Sequence, residues 1–151
     1  MIIGIFIGAV DAIFAVIHAY FFSKALPSQV FTYVASGIFG AEAFNLGYAM
    51  VFWGILFHFT IAILWSLFFL NFIFPISFVR KNFISYGCLF GLVMYAVMNF
   101  IVVPLSNTPP INSKFIPTLA MVLIHILLGF FMAYLGKTHY PNGLSNNSNI
   151  K

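Results

Sequence analysis

Four apolar runs, at about residues 2–22, 48–74, 83–103 and 115–135, leave this chain few folds to choose from. Each is about 20 residues or longer, the length an α-helix needs to cross a hydrocarbon core about 30 Å thick. Only 5% of the residues are charged and 63% are hydrophobic. A soluble domain needs roughly a quarter of its residues charged to cover itself with polar surface. The lipid bilayer is therefore the expected solvent and first partner. The fold class is all-α: a polytopic membrane protein built as a bundle of four transmembrane helices.

The breaks between the runs carry turn chemistry. Ser23-Lys24 and Leu26-Pro27 end the first, Pro75 through Arg80-Lys81-Asn82 the second, and Pro104-Leu105-Ser106-Asn107-Thr108-Pro109-Pro110 the third. Proline lacks a backbone donor and disfavours helix in the residue before it. The transmembrane domain is expected over residues 1–137. Residues 138–151 form a polar Asn/Ser-rich tail with nothing to bury, expected to be disordered. Asp11 interrupts the first run, no basic region precedes it and no small-residue cleavage site follows, so it is read as a helix rather than a secretory signal.

Residues 27–44 are too polar for an ordinary span, with Ser28, Gln29, Thr32, Ser36 and Glu42 among small residues. An interfacial or partly re-entrant helix packed on the bundle is expected there, with a plain surface loop as the competitor. Lys/Arg bias sets orientation. Arg80, Lys81, Lys137 and Lys151 share the side of the N-terminus, against Lys24 and Lys114 opposite. Both termini are thus expected in the cytoplasm.

The net charge of +4 is no nucleic-acid signal, because the basic residues stand singly or in pairs, three of them beside helix ends. Cys88 is the single cysteine and lies in an apolar run, so neither a disulfide nor a cysteine metal cluster is expected. Phosphate-binding glycine loops, a His-Glu-x-x-His motif and paired carboxylates are all missing. Asp11 and Glu42 are the only acids, which argues against hydrolytic or phosphoryl-transfer enzymes.

The residues that call for explanation are the polar ones inside the runs: Asp11 and His18 in the first, His58 in the second, Asn99 in the third and His125 in the fourth. An ionisable group at a span centre costs about 2.5–3.5 kcal/mol on insertion scales. Each lies in a stripe of small residues at helical spacing. The stripes are Gly4, Gly8, Asp11, Ala15 and His18; then Gly54, His58, Ala62 and Ser66. Gly87, Gly91, Tyr95 and Asn99 form the third, and His125, Gly129 and Ala133 the fourth. Small residues let membrane helices approach, so these faces are expected to point into the bundle. At 1.5 Å per residue, Asp11, His58 and His125 lie roughly 14–17 Å deep and His18 and Asn99 roughly 6 Å deep. Together they line a polar path from one face to the membrane centre.

Asp11 beside an imidazole shares a proton or forms an ion pair, and histidine titrates near physiological pH. A proton-responsive site is the leading reading. The competing reading is structural: intramembrane histidines serve as interhelical hydrogen bonders worth about 0.6 kcal/mol each, in an interaction or assembly protein. A third makes His58 and His125 axial ligands of a haem in an electron carrier. The leading reading needs no cofactor and no metal. Four helices are few for a complete transporter, which leaves homo-oligomerisation or a membrane-protein partner open.

From the second run onward the pattern is familiar. Gly54-Ile55-Leu56-Phe57-His58-Phe59 leads to a basic turn, Gly87 and Gly91, Met98-Asn99, Pro104-Leu105, Thr108-Pro109-Pro110 and then His125. Over residues 54–135 this resembles the YagU-like group of uncharacterised bacterial inner-membrane proteins. The resemblance implies a bacterial inner-membrane location and a link to acid tolerance. It implies no reaction. His58 and His125 are the positions that match, while Asp11 and His18 lie outside it.

Overall fold

A computed structural model describes residues 1–110 and 114–139. Its elements are α1 (Ile2–Ser23), α2 (Pro27–Phe39), α3 (Tyr48–Ile73), α4 (Ser77–Lys81), α5 (Phe83–Leu105) and α6 (Phe115–His139). A single 3-10 stretch, Gly40–Asn45, joins α2 to α3. Four of the helices, α1, α3, α5 and α6, are long and apolar enough to cross a membrane. No more than 22% of any span's most apolar stretch is buried inside the chain. Most of the apolar side chains therefore face outward, where only lipid accepts them. The all-α, four-span bundle stands.

Two helix ends differ from expectation, and proline bears on the first. The third span was expected to stop before Pro104, yet α5 runs through it to Leu105. The turn Met98–Val102 just before it widens to a π-helix. A widened turn changes the hydrogen-bond register, so the helix passes a residue that has no N–H. The last turn of α3, Phe69–Ile73, widens in the same way ahead of Pro75. At the other end of the chain, α6 continues to His139. Thr138 and His139 are thus helical rather than part of the tail, and residues 140–151 of the expected tail lie outside the described residues.

In space α1 lies between α3 and α6, α5 packs along α6, and α2 packs on α3. Trp65, Phe68 and Phe69 of α3 meet the Phe90 ring of α5, closing the ring of helices. The main core draws Ile3 and Ile7 from α1, Phe69 from α3, Phe90 from α5, and Leu128 and Met132 from α6. It fills the end of the bundle that carries α4. The polar residues sit beyond it, toward the end covered by α2.

The segment 27–44 does form a helix, 13 residues long in its α-helical part. Pro27 at its first turn has the backbone angle a helix start needs, and Gln29 Oε1 accepts the Leu26 N–H at 2.8 Å. Thr32, Ala35 and Ser36 form its buried face. Burial pushes the Tyr33 phenol up from its ordinary value, so it stays a neutral hydroxyl. Phe31 touches the level of Gly54 and His58, while Phe39 meets Trp53 and Phe57. Two residues about 12 Å apart on α2 thus reach the same stretch of α3, so α2 crosses α3 rather than running alongside it.

Candidate intramembrane polar site

Glycine brings α1 onto α3. A Cβ at Gly4 would stand 2.8 Å from Ile63 Cα, and one at Gly8 would stand 3.0 Å from Phe59 Cδ1 and Ala62 Cβ. That close approach lets a side chain of α3 reach the backbone of α1. His58 Nε2–H donates to the Gly8 carbonyl at 2.9 Å, and the same nitrogen lies 3.9 Å from Asp11 Oδ2. The second separation is too long for a direct hydrogen bond but close for opposite charges. Both side chains are mostly covered, with 13% of His58 and 23% of Asp11 exposed.

The tautomer follows from the acceptor. A carbonyl accepts only, so His58 carries a proton on Nε2 and its Nδ1 is the basic atom when the ring is neutral. A proton arriving at Nδ1 makes an imidazolium beside the Asp11 carboxyl. The pair with one shared proton has no net charge in either arrangement, as a neutral acid with neutral imidazole or as an ion pair. Adding or removing a proton leaves a single charge in a poorly solvated place.

His125 sits in a different antiparallel seam, between α5 and α6. It is 9% exposed, its Nδ1–H donates to Met121 O at 2.9 Å within its own helix, and its ring meets Tyr95 edge-on at 5.5 Å. The helices here touch backbone to backbone. A Cβ at Gly91 would lie 2.0 Å from His125 O, and one at Gly129 would lie 2.2 Å from Gly87 O.

His18 Nε2–H donates to Pro117 O at 2.9 Å, tying the end of α1 to the start of α6. Counting from that contact, Asp11 lies about 10 Å along α1 and His125 about 12 Å along α6. Asp11, His58 and His125 therefore share one level, as depth counting expects. His125 nevertheless faces Tyr95 of α5 rather than the acid.

Asn99 departs from the expected stripe. It is exposed, and its Nδ2–H donates to Tyr95 O at 3.0 Å, four residues back in its own helix. It lies in the π-turn of α5, where the i, i+4 counting that placed it inward no longer holds. The continuous polar path expected from the five residues is not formed. Asp11 and His58 come together, His125 pairs with Tyr95, and His18 and Asn99 each bond a carbonyl elsewhere.

The axial-ligand reading fits poorly. His58 Nε2 holds its proton against Gly8 O, and the ring meets Phe31 of α2 edge-on at 6.1 Å. His125, the other ligand that reading needs, bonds Met121 of its own helix and faces Tyr95 in a different seam.

Sequence reasoning missed what lies against His58. Gly54 was expected to face the bundle, yet it receives α2: a Cβ there would lie 1.8 Å from Phe31 O. The loop residue Asn107, read only as turn chemistry, donates its backbone N–H to Gly37 O at 3.0 Å and its Nδ2–H to Ile38 O at 3.1 Å. Those are carbonyls at the C-terminus of α2, which have no partner within their own helix. Carbonyl acceptors such as Gly8, Pro117 and Gly37 leave no trace in side-chain identity, so no pattern could have named them. No family model, curated protein or solved structure matches the chain.

Proposed function

We propose that the Asp11–His58 pair is a proton-responsive site within the membrane, serving a protein of proton or small-solute handling. One observation carries this reading: the 3.9 Å approach of the only acid in the four spans to an imidazole of the neighbouring helix. A lone aspartate in hydrocarbon stays neutral and inert, whereas a neighbouring imidazole that takes up a proton on its free nitrogen favours the carboxylate. Histidine supplies the titration in the physiological range. Both groups touch α1 and α3, so a change of protonation alters a contact between helices. His125 and His18 support this site by holding their own seams and are not part of the proton pair.

The wider setting is a bacterial inner membrane, with both termini in the cytoplasm and a role under acid or envelope stress. It rests on the YagU-like resemblance and on the Lys/Arg bias, and it includes no catalytic step and no cofactor. Nitrogen NMR of histidine-labelled protein in bilayers, from about pH 5 to 8, tests the site. The expected result is a His58 nitrogen spectrum that changes across that range and that Asp11→Asn alters. A His58 ring that keeps one tautomer throughout, together with Asp11→Asn, His58→Ala and His125→Ala variants that fold and restore a deletion strain under acid challenge, would overturn it.

A second reading has its own observation. His18 and His58 both donate across a helix boundary to a backbone carbonyl, at 2.9 Å in each case. In an interaction or assembly protein those bonds serve packing alone. His58→Gln, which keeps a donor, then leaves function intact while a membrane partner or a second copy co-purifies.

A further inference from the structure

We propose that α2 is a lid over the Asp11–His58 pair, seated on Gly54 and latched by Asn107. The inference rests on reading that pair as the working site, and it adds the element that controls access to it.

The seat is specific. The backbone of α2 at Phe31 lies against α3 where a Cβ on residue 54 would stand 1.8 Å from the Phe31 carbonyl oxygen and 2.5 Å from its carbon. Only glycine allows that contact, because the clash is with backbone that has no rotamer to yield. The seat also brings the Phe31 ring edge-on to His58. The group that closes over the imidazole thus belongs to a separate short helix and not to the bundle.

The latch lies at the other end. The C-terminal carbonyls of Gly37 and Ile38 are satisfied by Asn107 of the α5–α6 connection. That connection is braced by its own side chains. Ser106 Oγ–H donates to Val103 O at 2.8 Å, and the same Oγ lies 2.6 Å from Thr108 Oγ1 and accepts the Thr108 N–H at 3.2 Å. The anchor is built, while the element it holds is joined to the bundle by backbone turns.

Each of those turns is set by a residue of positive φ. Lys24, before α2, has φ 57, and Gly40, after it, has φ 67. Between α1 and the start of α2 an apolar cleft of about 280 Å³ remains, lined by Val16, Ile17, Tyr20, Phe21 and Pro27. α2 packs broadly on α3 and little on α1, so its position over His58 depends on the seat against α3. Withdrawn from Gly54, α2 uncovers His58 to water, the carrier of protons.

Thiol accessibility tests the lid without relying on proton chemistry. Cys88 is replaced by Ala and His58→Cys serves as reporter, with Asp11→Cys as a second reporter should the first fail to fold. The probe is a charged, water-soluble methanethiosulfonate added to purified protein in nanodiscs, where both faces are open to it. Gly54→Ala is expected to accelerate labelling by about tenfold or more, by shifting the population toward the unseated state. Asn107→Ala should act in the same direction and more weakly, because its backbone donor survives. The independent arm is a crosslink. A Cβ at Gly37 lies 3.8 Å from Ser106 Cβ, the mean separation across a disulfide. An oxidised Gly37→Cys/Ser106→Cys pair is expected to slow labelling below that of the uncrosslinked protein. Labelling rates indifferent to both Gly54→Ala and the crosslink would overturn the lid. The two readings part cleanly. A lid that governs labelling over a His58 ring that never titrates keeps the lid and removes the proton site. A titrating ring whose reporter ignores α2 removes the lid alone.

Discussion

Two of the antiparallel seams of this bundle, α5–α6 and α1–α3, solve one packing problem in different ways. Along α5 and α6, glycines stand on both helices and the backbones meet directly: a Cβ at Gly129 would lie 2.2 Å from Gly87 O and 2.5 Å from Gly91 N. Along α1 and α3 the glycines lie on α1 and face side chains of Phe59, Ala62 and Ser66, with the nearest backbone atom 2.8 Å from the Gly4 position. Each seam carries one histidine at the middle level. In the backbone-to-backbone seam that histidine bonds its own helix, and in the other it crosses to the partner. Where backbones touch, the histidine bonds within its own helix and bridges no backbone across the seam. Where side chains bridge, a polar pair fits, and its protonation becomes a property of the seam.

Breaking the closed seam should cost most. Gly129→Ala drives a methyl into backbone on the facing helix, and an overpacking cost of about 3 kcal/mol is expected, the upper end for such changes. Gly8→Ala meets only side-chain carbons at 3.0 Å, and about 1 kcal/mol is expected for it. Thermal unfolding in one detergent, followed by loss of monodisperse protein, ranks the two variants. Equal midpoints would mean that the seams do not differ in tightness.

Next in size is the removal of the polar bridge. His58→Leu deletes the bond to Gly8 and leaves Asp11 without its imidazole neighbour. The expected outcome is loss of any pH dependence of the α1–α3 contact. Spin labels on α1 and α3, read across pH, measure it directly. His125→Leu is expected to leave that pH dependence unchanged, because His125 bonds Met121 of its own helix and packs on Tyr95. If His125→Leu abolishes the response and His58→Leu does not, the roles assigned to the seams are reversed.

This contrast was half legible in the sequence. Gly4, Gly8, Gly87, Gly91 and Gly129 are recognisable as packing residues because their spacing is helical and bulk lipid-facing residues flank them. The spans themselves are legible because hydrocarbon thickness sets a length that only apolar runs meet. That Asp11 and His58 share a level also follows from counting. What periodicity cannot convey is which neighbour a stripe faces. Gly54 and Ser66 belong to one stripe on α3, yet Gly54 receives α2 and Ser66 faces α1. The stripe is long enough to serve two partners, and the short helix that takes its upper end carries no strong hydrophobic signal. Asn99 was lost for a different reason: the π-turn ahead of Pro104 interrupts the counting that placed it.

The smallest expected effect has the opposite sign and sharpens the comparison. Ser66 lies fully within the α1–α3 seam, and its Oγ has no hydrogen-bond partner among the described residues. Its Cβ is 3.3 Å from the Cβ position of Gly4, so small size is what the contact requires. Alanine keeps that size and removes a buried hydroxyl that bonds nothing. Leaving such a group unsatisfied costs about 1–3 kcal/mol, so Ser66→Ala should be neutral or raise the unfolding midpoint slightly. A clear loss of stability would show that the hydroxyl has work to do in this seam. The α1–α3 contact would then hold a second polar element beside Asp11 and His58, and the apolar end of the seam would be as conditional as its middle.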